Sequence, residues 1–356
     1  MIIYFANRDM EIIGQAATRL PKGLVVSSDK KTEQLESGTK SFEFEIHYTD
    51  RLKAEAMASP GNYLLRSDRD ENEFYTIIDS DTDTAARVIT GYAEDAGLDL
   101  INEVVGPYAA ASAMGIASYA AAFIGDSGFE IGVNEVSNLS RTLSWDGEST
   151  VTERLQSLAR QFDAEISFSF TIEQMTVTHK YINFWKARGS DNGVILRIGQ
   201  HISTLRIKRS VANLATALLV KGGTPSGSSS PITLQGYSYD DGDIYVDGQY
   251  LKSRSAMEKW ARGGSGDIVK RWSYDTTVQS ELCTRAVNQL KKICDLEVTY
   301  EAEVIEMPPN VRLGDIVRIA DPEGGQYIKA RIAEEVTGVA SGIHEIKLNN
   351  YAVESS

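Results

Sequence analysis

Hydrophobic and polar residues alternate along several stretches of the first hundred residues, as expected for strands that bury one face. The clearest stretch is Ser41–Tyr48, whose apolar positions are Phe42, Phe44, Ile46 and Tyr48. Asn7-Arg8-Asp9 lies between two shorter apolar runs and predicts a hairpin turn. The runs Tyr63–Arg66 and Glu73–Ile78 flank a charged loop. This pattern predicts an antiparallel barrel or sandwich.

A helical pattern appears in the middle of the chain. Thr150 and Glu153 have the spacing of a capping box, in which each side chain accepts a hydrogen bond from a backbone N–H of the first turn. The apolar positions that follow recur at helical spacing: Val151, Leu155, Leu158, Ala159 and Phe162. Alternation over Ile166–Ile172 then predicts a strand. The alanine-rich segment Tyr108–Gly125 predicts a tightly packed helix, because its hydrophobicity is low for a membrane span.

The end of the chain combines one helix with a meander of strands. Thr276 and Gln279 predict a second capping box, and an apolar stripe follows it: Leu282, Cys283, Ala286, Val287, Leu290, Ile293 and Cys294. From Leu296 to Val304 apolar residues alternate with acidic ones or threonine, which predicts a strand that Pro308-Pro309 ends. Short strands after Leu313-Gly314-Asp315, with a turn at 321–325, complete the meander.

Composition places the chain among folded, multidomain proteins. Its 356 residues are enough for two to four domains, and its 42% hydrophobic and 24% charged residues are ordinary for a soluble protein. The net charge of −14 argues against general binding to nucleic-acid phosphates, which depends on Lys and Arg. The first residues lack the pattern of a signal peptide, so we expect synthesis in the cytoplasm. Gly222–Pro231 is rich in Gly, Ser and Pro and predicts a flexible loop or linker.

The sequence predicts no catalytic, cofactor-binding or metal-ligating residue. Gly125-Asp126-Ser127-Gly128 resembles the surroundings of a serine nucleophile, but no histidine lies in a recognisable base motif. The histidines are His47, His179, His201 and His344. Cys283 and Cys294 lie eleven residues apart on one predicted helix, which is too far for a disulfide.

Two acidic segments are interpreted as turns rather than metal sites. Asp79–Asp83 begins like a calcium loop, but Thr84 and Thr90 stand where that loop requires Gly and Glu. The second segment is Asp-Gly-rich, which is ordinary turn chemistry, and its acids are Asp240, Asp241, Asp243 and Asp247.

The order of these segments resembles the phage tail-hub family, the tail-tip proteins of siphophages and prophages. The resemblance is carried by Leu313-Gly314-Asp315 with Ala330-Arg331-Ile332, and by Ser144–Thr150 followed by a helix and Ala164–Phe168. It covers essentially the whole chain and implies an α+β, multidomain fold. The implied domains are a first β-barrel-like domain (1–100 plus 201–222), an inserted α/β domain (101–200), a small turn-rich domain (223–275) and a second β-barrel-like domain with a leading helix (276–356).

The resemblance also implies a structural function at the tip of a virion tail. We expect a homotrimer whose two barrels per subunit form a pseudo-sixfold ring that caps the tail tube and gates DNA passage. The implied partners are the distal tail protein, the tape-measure protein and other baseplate proteins, with DNA only in transit, no membrane span and no cofactor. The charge of −14 suggests an acidic lumen that does not retain DNA phosphates.

Two alternatives remain open at this point. Members of this family often carry a peptidoglycan-cleaving endopeptidase domain after the hub. Since the chain stops five residues after Tyr351, we expect that domain to be absent and the chain not to be an enzyme. The second alternative is a host-glycan-binding tail component, with Trp260 or Trp272 as the sugar platform, although both are more typical of core or interface residues.

Overall fold

The chain is mostly β structure, with 46% strand and 16% helix. A computed structural model describes residues 1–19, 23–68, 71–95, 97–225, 227–261, 266–321 and 326–350. The chain forms two compact units. Unit 1 consists of Met1–Arg141, Trp145–Arg206 and Glu301–Asn349, and unit 2 consists of Thr142–Ser144 and Ile207–Tyr300 together with Asn350.

The strands are numbered in chain order. They are β1 (Ile2–Ala6), β2 (Ile12–Ala17), β3 (Leu24–Gln34), β4 (Lys40–His47), β5 (Tyr63–Asp68), β6 (Glu71–Asp83), β7 (Val88–Glu94), β8 (Val104–Val105), β9 (Tyr108–Ala109), β10 (Phe129–Asn134), β11 (Ser144–Trp145), β12 (Ser149–Thr150), β13 (Glu165–Glu173), β14 (Thr176–Trp185), β15 (Ile195–Arg197), β16 (Ile202–Ser210), β17 (Ala217–Lys221), β18 (Ile244–Asp247), β19 (Tyr250–Ser253), β20 (Val269–Ser273), β21 (Glu297–Val304), β22 (Ile316–Asp321), β23 (Gln326–Thr337) and β24 (His344–Asn350). The helices are α1 (Arg51–Met57), α2 (Gly97–Asn102), α3 (Ile116–Ile124), α4 (Val151–Gln161), α5 (Arg254–Trp260) and α6 (Gln279–Ile293).

The first seven strands form a closed cycle of pairings within a 13-stranded sheet. The cycle runs β1–β5–β6–β7–β4–β3–β2 and returns to β1. The alternation in Ser41–Tyr48 puts the apolar side chains inside, where Phe42 and Ile46 are fully buried. Each such side chain stabilises the fold by about 1.5–3 kcal/mol relative to an exposed position. The predicted turn after β1 is also confirmed, since Asn7 Oδ1 accepts the N–H groups of Asp9 and Glu11 at 3.0 and 2.9 Å.

The C-terminal strands extend the same sheet. Their order is β16–β21–β24–β23, and β22 pairs with both β23 and β15. β23 joins them to the first cycle because Glu334–Thr337 pair with Lys31–Gln34 of β3. The four predicted strands are therefore confirmed, although part of the turn at 321–325 lies outside the described residues. The predicted meander is wrong at its start, because β21 pairs with β16 and β24 and not with β22.

The middle of the chain carries a three-stranded sheet, β10–β14–β13, with α3 and α4 beside it. The capping box of α4 is confirmed, because Thr150 Oγ1 accepts the Glu153 N–H at 3.2 Å and Glu153 accepts the Thr150 N–H at 3.0 Å. The alanine-rich segment forms β9 and the nine-residue helix α3. No helix in the described ranges is long and apolar enough to cross a membrane.

Unit 2 packs α6 against the sheet β18–β19–β17–β20. The second predicted capping box is wrong: α6 has Val278 as its N-cap, with no side-chain bond there. The Gln279 side chain instead donates to the carbonyls of Thr233 and Gln235 at 2.8 and 3.2 Å. Both cysteines are free, as predicted. The Gly/Ser/Pro segment is anchored at its start, since the N–H groups of Gly222 and Gly223 bond to Ile232 and Thr276.

The four domain ranges implied by the sequence remain a proposal. The pairings group the residues differently from those ranges. β16, placed in the first barrel by sequence, pairs with β21. The helix α6, placed in the second barrel, belongs to the compact unit that contains β17–β20.

Hydrogen bonds of the Leu313-Gly314-Asp315 segment connect the turn before β22 to the chain that leads into β15. The Asp315 carboxylate accepts the Ser190 N–H at 2.7 Å and the Arg312 N–H at 2.9 Å. A Cβ added to Gly314 would lie 2.6 Å from the Arg188 carbonyl oxygen, and one on Gly189 would lie 2.2 Å from the Gly314 carbonyl carbon. Only glycine allows this approach of two backbones.

We expect Gly314→Ala to destabilise the protein by about 1–3 kcal/mol more than Gly61→Ala, because overpacking costs about that much. The two glycines have φ of +91° and +90°, so backbone strain is matched, but nothing lies within 4 Å of a Cβ at Gly61. Urea unfolding of both variants measures the difference. Equal losses would show that the backbone approach at Gly314 contributes nothing.

Candidate functional site

Strand β3 buries charged side chains along its second half. A register shift between Val26 and Ser28 interrupts the pairing of β3 with β4. Before the shift the buried residues of β3 are apolar, and after it they are Asp29, Lys31 and Glu33, which are 1%, 5% and 7% exposed. Buried charges are tolerated when they are paired and hydrogen-bonded. The neighbouring strands must therefore supply their partners.

The partners of Lys31 and Asp29 come from strands β5 and β6 of the first cycle and from the turn after β23. Lys31 Nζ lies 3.0 Å from Glu73 Oε1, and Arg66 Nε lies 2.6 Å from Glu73 Oε2. Arg66 also lies 3.7 Å from Asp29 and its guanidinium stacks on the Phe42 ring at 4.7 Å. The Asp29 carboxylate accepts backbone N–H groups of residues 339 and 340 at 3.1 and 2.5 Å.

Glu33 begins a second chain of ion pairs that ends at β13. Arg188 donates to Glu33 at 2.7 Å, and Lys40 lies 3.9 Å from the same carboxylate. The Arg188 N–H donates to Glu165 at 2.6 Å, and Arg331 donates to both oxygens of Glu165 at 2.5 and 2.9 Å. Arg331 also donates to the Gly314 carbonyl at 2.8 Å. The charges thus connect β3, β13 and β23 within unit 1.

A cavity of about 450 Å³ lies beside these charges, between β6 and the β13–β14 sheet. Its wall mixes aromatic, hydroxyl, amide and charged side chains. The lining residues are Lys40, Asn72, Glu73, Phe74, Tyr75, Asp95, Val133, Ser167, Phe168, Ser169, Phe170, Asn183, Trp185 and Arg188. Ligand pockets commonly have volumes of about 300–1,000 Å³ and this kind of lining, so this is the candidate functional site of unit 1.

Asp95, just after β7, is the most perturbed acid of the cavity. It is 2% exposed, and its Oδ1 accepts the Lys40 N–H at 2.8 Å. Its Oδ2 has no hydrogen-bond partner among the described residues. Burial raises the pKa of Asp95 well above its ordinary value, and the Lys40 N–H opposes that rise. A second buried atom of the wall, Arg188 Nη1, also lacks a partner within the described part of the chain.

A second, smaller groove of about 210 Å³ crosses the strands β16, β21, β23 and β24. Glu303 accepts hydrogen bonds there from Ser203 and Thr204 at 3.2 and 3.1 Å. The charged residues of its wall are Arg206, Glu301, Glu303, Glu334, Glu345 and Lys347. Four acids against two bases make this face of the sheet acidic.

Ser127, the serine of the protease-like segment Gly125–Gly128, makes structural hydrogen bonds. Ser127 is 7% exposed, and its hydroxyl accepts the Phe129 N–H at 3.4 Å. Lys180 donates to the Ser127 carbonyl at 2.8 Å. His179 and His344 pair with Glu130 and Glu335 at 3.1 and 2.9 Å.

The other two histidines also have structural contacts. His47 lies 3.9 Å from Glu45, and His201 accepts the Arg197 N–H at 3.0 Å.

Asp83 of the first acidic segment and the acids of the second bind neighbouring residues. Asp79–Asp83 belongs to β6, so its interpretation as a turn is wrong except at Asp83, which accepts the Ala85 and Ala86 N–H groups at 2.8 Å each. Asp240 pairs with Arg254, and Asp247 pairs with Lys252.

The remaining acids of the second segment bond to nearby N–H groups. Asp241 accepts the Ile244 N–H at 2.7 Å, and Asp243 accepts the Ser255 N–H at 2.7 Å. Across the described ranges, no group of three or more His, Cys, Asp or Glu residues could hold a metal ion.

The tryptophans considered as sugar platforms lie in unit 2. Trp272 packs against its core and stacks on Tyr274, with ring centroids 6.0 Å apart. Lys259 lies over the ring of Trp260 at 5.1 Å. The cavity wall contains a different tryptophan, Trp185, which sequence reasoning passed over.

Sequence reasoning missed the buried acids of β3 and Asp95. One signal could have indicated the buried acids of β3: Ser27–Glu33 is polar at every position. A strand inside a closed set of strands must bury one face, so an entirely polar strand implies buried polar side chains.

We expect Glu73→Gln to lower the free energy of unfolding by about 3 kcal/mol or more, because Lys31 and Arg66 would lose their shared carboxylate in a buried site. Glu43→Gln is the matched control. Glu43 of β4 pairs with Lys30 of β3, the residue next to Lys31, but their side chains are 48% and 43% exposed, so we expect a loss below about 1 kcal/mol. Urea unfolding measures both, and similar losses would contradict the buried-pair account.

Asp95 should make stability depend on pH. Its folded-state pKa is raised, while the unfolded value is about 3.9, so its contribution to stability is full below about pH 4 and is lost as the pH rises towards the folded pKa. The Asp95→Asn side chain does not ionise. We therefore expect the stability of this variant, relative to the wild-type chain, to increase between about pH 4 and pH 8. A pH-independent difference in urea unfolding would contradict the raised pKa.

Comparisons with known proteins give a match by structure alone. The sequence matches no protein-family model and no curated protein. The structure is similar to the 43 kDa tail protein of prophage MuSo2 from Shewanella oneidensis, with a TM-score of 0.63 and 14% identity over 98% of each chain. It is also similar to the prophage tail protein gp18 from Listeria monocytogenes EGD-e, with a TM-score of 0.60 and 14% identity over 99% of this chain and 95% of that one.

A third similar structure is the E. coli c3393 protein, a component of the type VI secretion system. The TM-score is 0.52 and the identity 10%, over 94% of this chain and 76% of that chain. The agreement with the two prophage proteins extends over nearly the full length of all three chains. The chain therefore has the fold of prophage tail proteins.

Proposed function

We propose that this chain is a structural component of a phage tail, located at the tip of the virion tail as a baseplate hub. The observation that carries the proposal is the full-length similarity to two prophage tail proteins. The c3393 protein adds to it, because that protein is described as similar to the T4 tail proteins gp27 and gp5. Its partners would be the distal tail protein, the tape-measure protein and other baseplate proteins.

The hub would be a homotrimer that builds a pseudo-sixfold ring. The closed cycle β1–β7 would be the first barrel of each subunit. The second barrel would consist of β15, β16 and β21–β24, since an isolated bridge between Ile198 and Ile202 connects the β15 and β16 ends of that set. This differs from the range 276–356, because the chain from Ile207 to Tyr300 belongs to the other compact unit. Two barrels in each of three subunits would match a sixfold tail tube.

The function of such a ring is geometric. It would cap the tail tube before infection and open for DNA passage. The net charge of −14 and the acidic groove across β16, β21, β23 and β24 support a lumen that repels phosphates. A ring structure whose lumen is lined by net positive side chains would contradict this part of the proposal.

No catalytic step is included in this proposal. Ser127, His179, Asp240 and Asp241 each make a structural hydrogen bond or ion pair in the described chain. The sugar-platform alternative based on Trp272 is not favoured, because that ring packs against the core of unit 2.

We expect the purified chain to form a ring of three copies of its 39.1 kDa subunit, alone or with its distal tail protein. Light scattering after gel filtration gives the mass, and negative-stain images give the shape. Gly61→Ala is the control variant, because a Cβ added at this position has no neighbour within 4 Å. A chain that stays monomeric even with the distal tail protein would contradict the trimeric hub.

A further inference from the structure

The four-stranded sheet of unit 2 has one covered face and one open face. The covered face carries Leu218 and Val220 of β17, which pack in the core that contains the apolar stripe of α6. Because side chains alternate across a strand, Leu219 lies on the open face. Its partners on the neighbouring strands are Tyr250 of β19 and Arg271 of β20, and both are exposed.

The sequence of β17 is that of a strand buried on both faces. Ala217–Val220 is apolar at every position, whereas a strand with one solvated face alternates apolar and polar residues. β17 also pairs in parallel with β20, and parallel strands are usually covered on both sides. Tyr250 and Val269 of the open face are nevertheless 38% and 45% exposed. The open face therefore has the composition of a surface that another protein surface covers.

The charges of the open face favour an acidic partner. Lys221 and Arg271 are exposed, and neither side chain has an ion-pair or hydrogen-bond partner in the part of the chain that the structure describes. Lys252 of the same face already pairs with two aspartates. Of the 36 basic and 50 acidic residues, 12 and 10 lie in Ile207–Tyr300, which leaves 24 and 40 for the rest of the chain. That rest is nearly all unit 1, so unit 1 of a second copy has the complementary charge.

Unit 1 has an acidic face formed by Asp79 and Asp81 of β6 with Tyr92 and Thr90 of β7, their partners across the two strands. These side chains point outward, because Ile89, the neighbour of Thr90, belongs to the buried core. Asp79 and Asp81 are exposed and have no ion-pair or hydrogen-bond partner among the described residues. The half-buried ring of Tyr92 gives the acidic face an apolar centre.

The charges on the two faces have similar spacing. Asp79 and Asp81 are two residues apart on one strand, so their Cα atoms are about 7 Å apart. Arg271 lies opposite Leu219, and Lys221 lies two residues further along β17, so the Cα atoms of these cations are about 8 Å apart. Facing sheets pack about 10 Å apart, a gap that a lysine or arginine side chain spans to reach an aspartate. Both cations can therefore meet a carboxylate in one contact.

We propose that the open face of one copy docks on the acidic face of a second copy, with Lys221 and Arg271 opposite Asp79 and Asp81. Each copy uses two different surfaces in this contact, which is the head-to-tail arrangement that closes a ring. The inference rests on the trimeric ring proposed above and names the surfaces that hold its subunits together.

The test compares full-length chains by light scattering after gel filtration, alone and with the distal tail protein. Lys221→Glu with Arg271→Glu places like charges on both faces. We expect the dissociation constant between copies to rise about 100-fold or more and the mass to fall from three subunits to one. The matched control is Lys53→Glu with Lys186→Glu, which makes the same change in net charge at exposed positions outside both faces. We expect this control to keep the mass of three subunits.

A second pair of substitutions tests the acidic face. Asp79→Lys with Asp81→Lys should separate the copies in the same way. The chain that carries all four substitutions again has opposite charges on the two faces, with their signs exchanged, and we expect it to form the ring. Circular dichroism checks that each variant is folded, and either pair decides if the other impairs folding.

Two outcomes would overturn the inference and leave the trimeric hub intact. One is a wild-type trimer that persists in either charge-reversed pair, and the other is a four-substitution chain that stays monomeric although it is folded. A wild-type chain that is monomeric even with the distal tail protein would instead overturn the trimeric hub, and this inference with it.

Discussion

The position of β3 between two sets of strands is the constraint on which the rest of unit 1 depends. One edge of β3 pairs with β4, and the other pairs first with β2 and then with β23. The charged residues Asp29, Lys31 and Glu33 lie on the part of β3 that follows the register shift. Because buried charges need partners, this half of β3 is stable only when the chain around Arg188 and the turn after β23 are in place. The two sets of strands therefore depend on each other for folding.

The same charges specify the register of the sheet more than they add to its stability. Moving β3 by one residue would turn Lys30 and Thr32 inward and expose Asp29 and Lys31. The buried ion pairs of Asp29, Lys31 and Glu33 would then be broken, whereas an apolar strand could slip and still bury hydrophobic side chains. Replacing such a network with apolar residues is often neutral for stability, so its value here would lie in fixing one arrangement. Gly314 and Gly189 act in the same sense, since their backbones meet where no side chain fits.

Local pattern was enough to predict the elements whose partners lie nearby in sequence. The alternation of Ser41–Tyr48 and the capping box of Thr150 and Glu153 are both present in the structure. The capping box at Thr276 failed because loop carbonyls at Thr233 and Gln235 compete for the Gln279 amide. The segment Asp79–Asp83, whose acids begin like a calcium loop, is predicted to be a turn, yet pairing with β7 holds it in a strand. In both cases a tertiary contact overrode a local preference.

The candidate site could not be predicted in this way, and the reason is physical. Its wall joins Lys40, Asp95 and Arg188 from distant parts of the chain, and none of them sits in a motif. Perturbed carboxyls in cavities are typical of functional sites, but catalysis needs a second group that exchanges protons or attacks a substrate. The wall around Asp95 offers cations that are already paired, hydroxyls that accept bonds from Trp185 and Asn183, and aromatic rings. This chemistry favours binding over turnover, which agrees with the structural role proposed above.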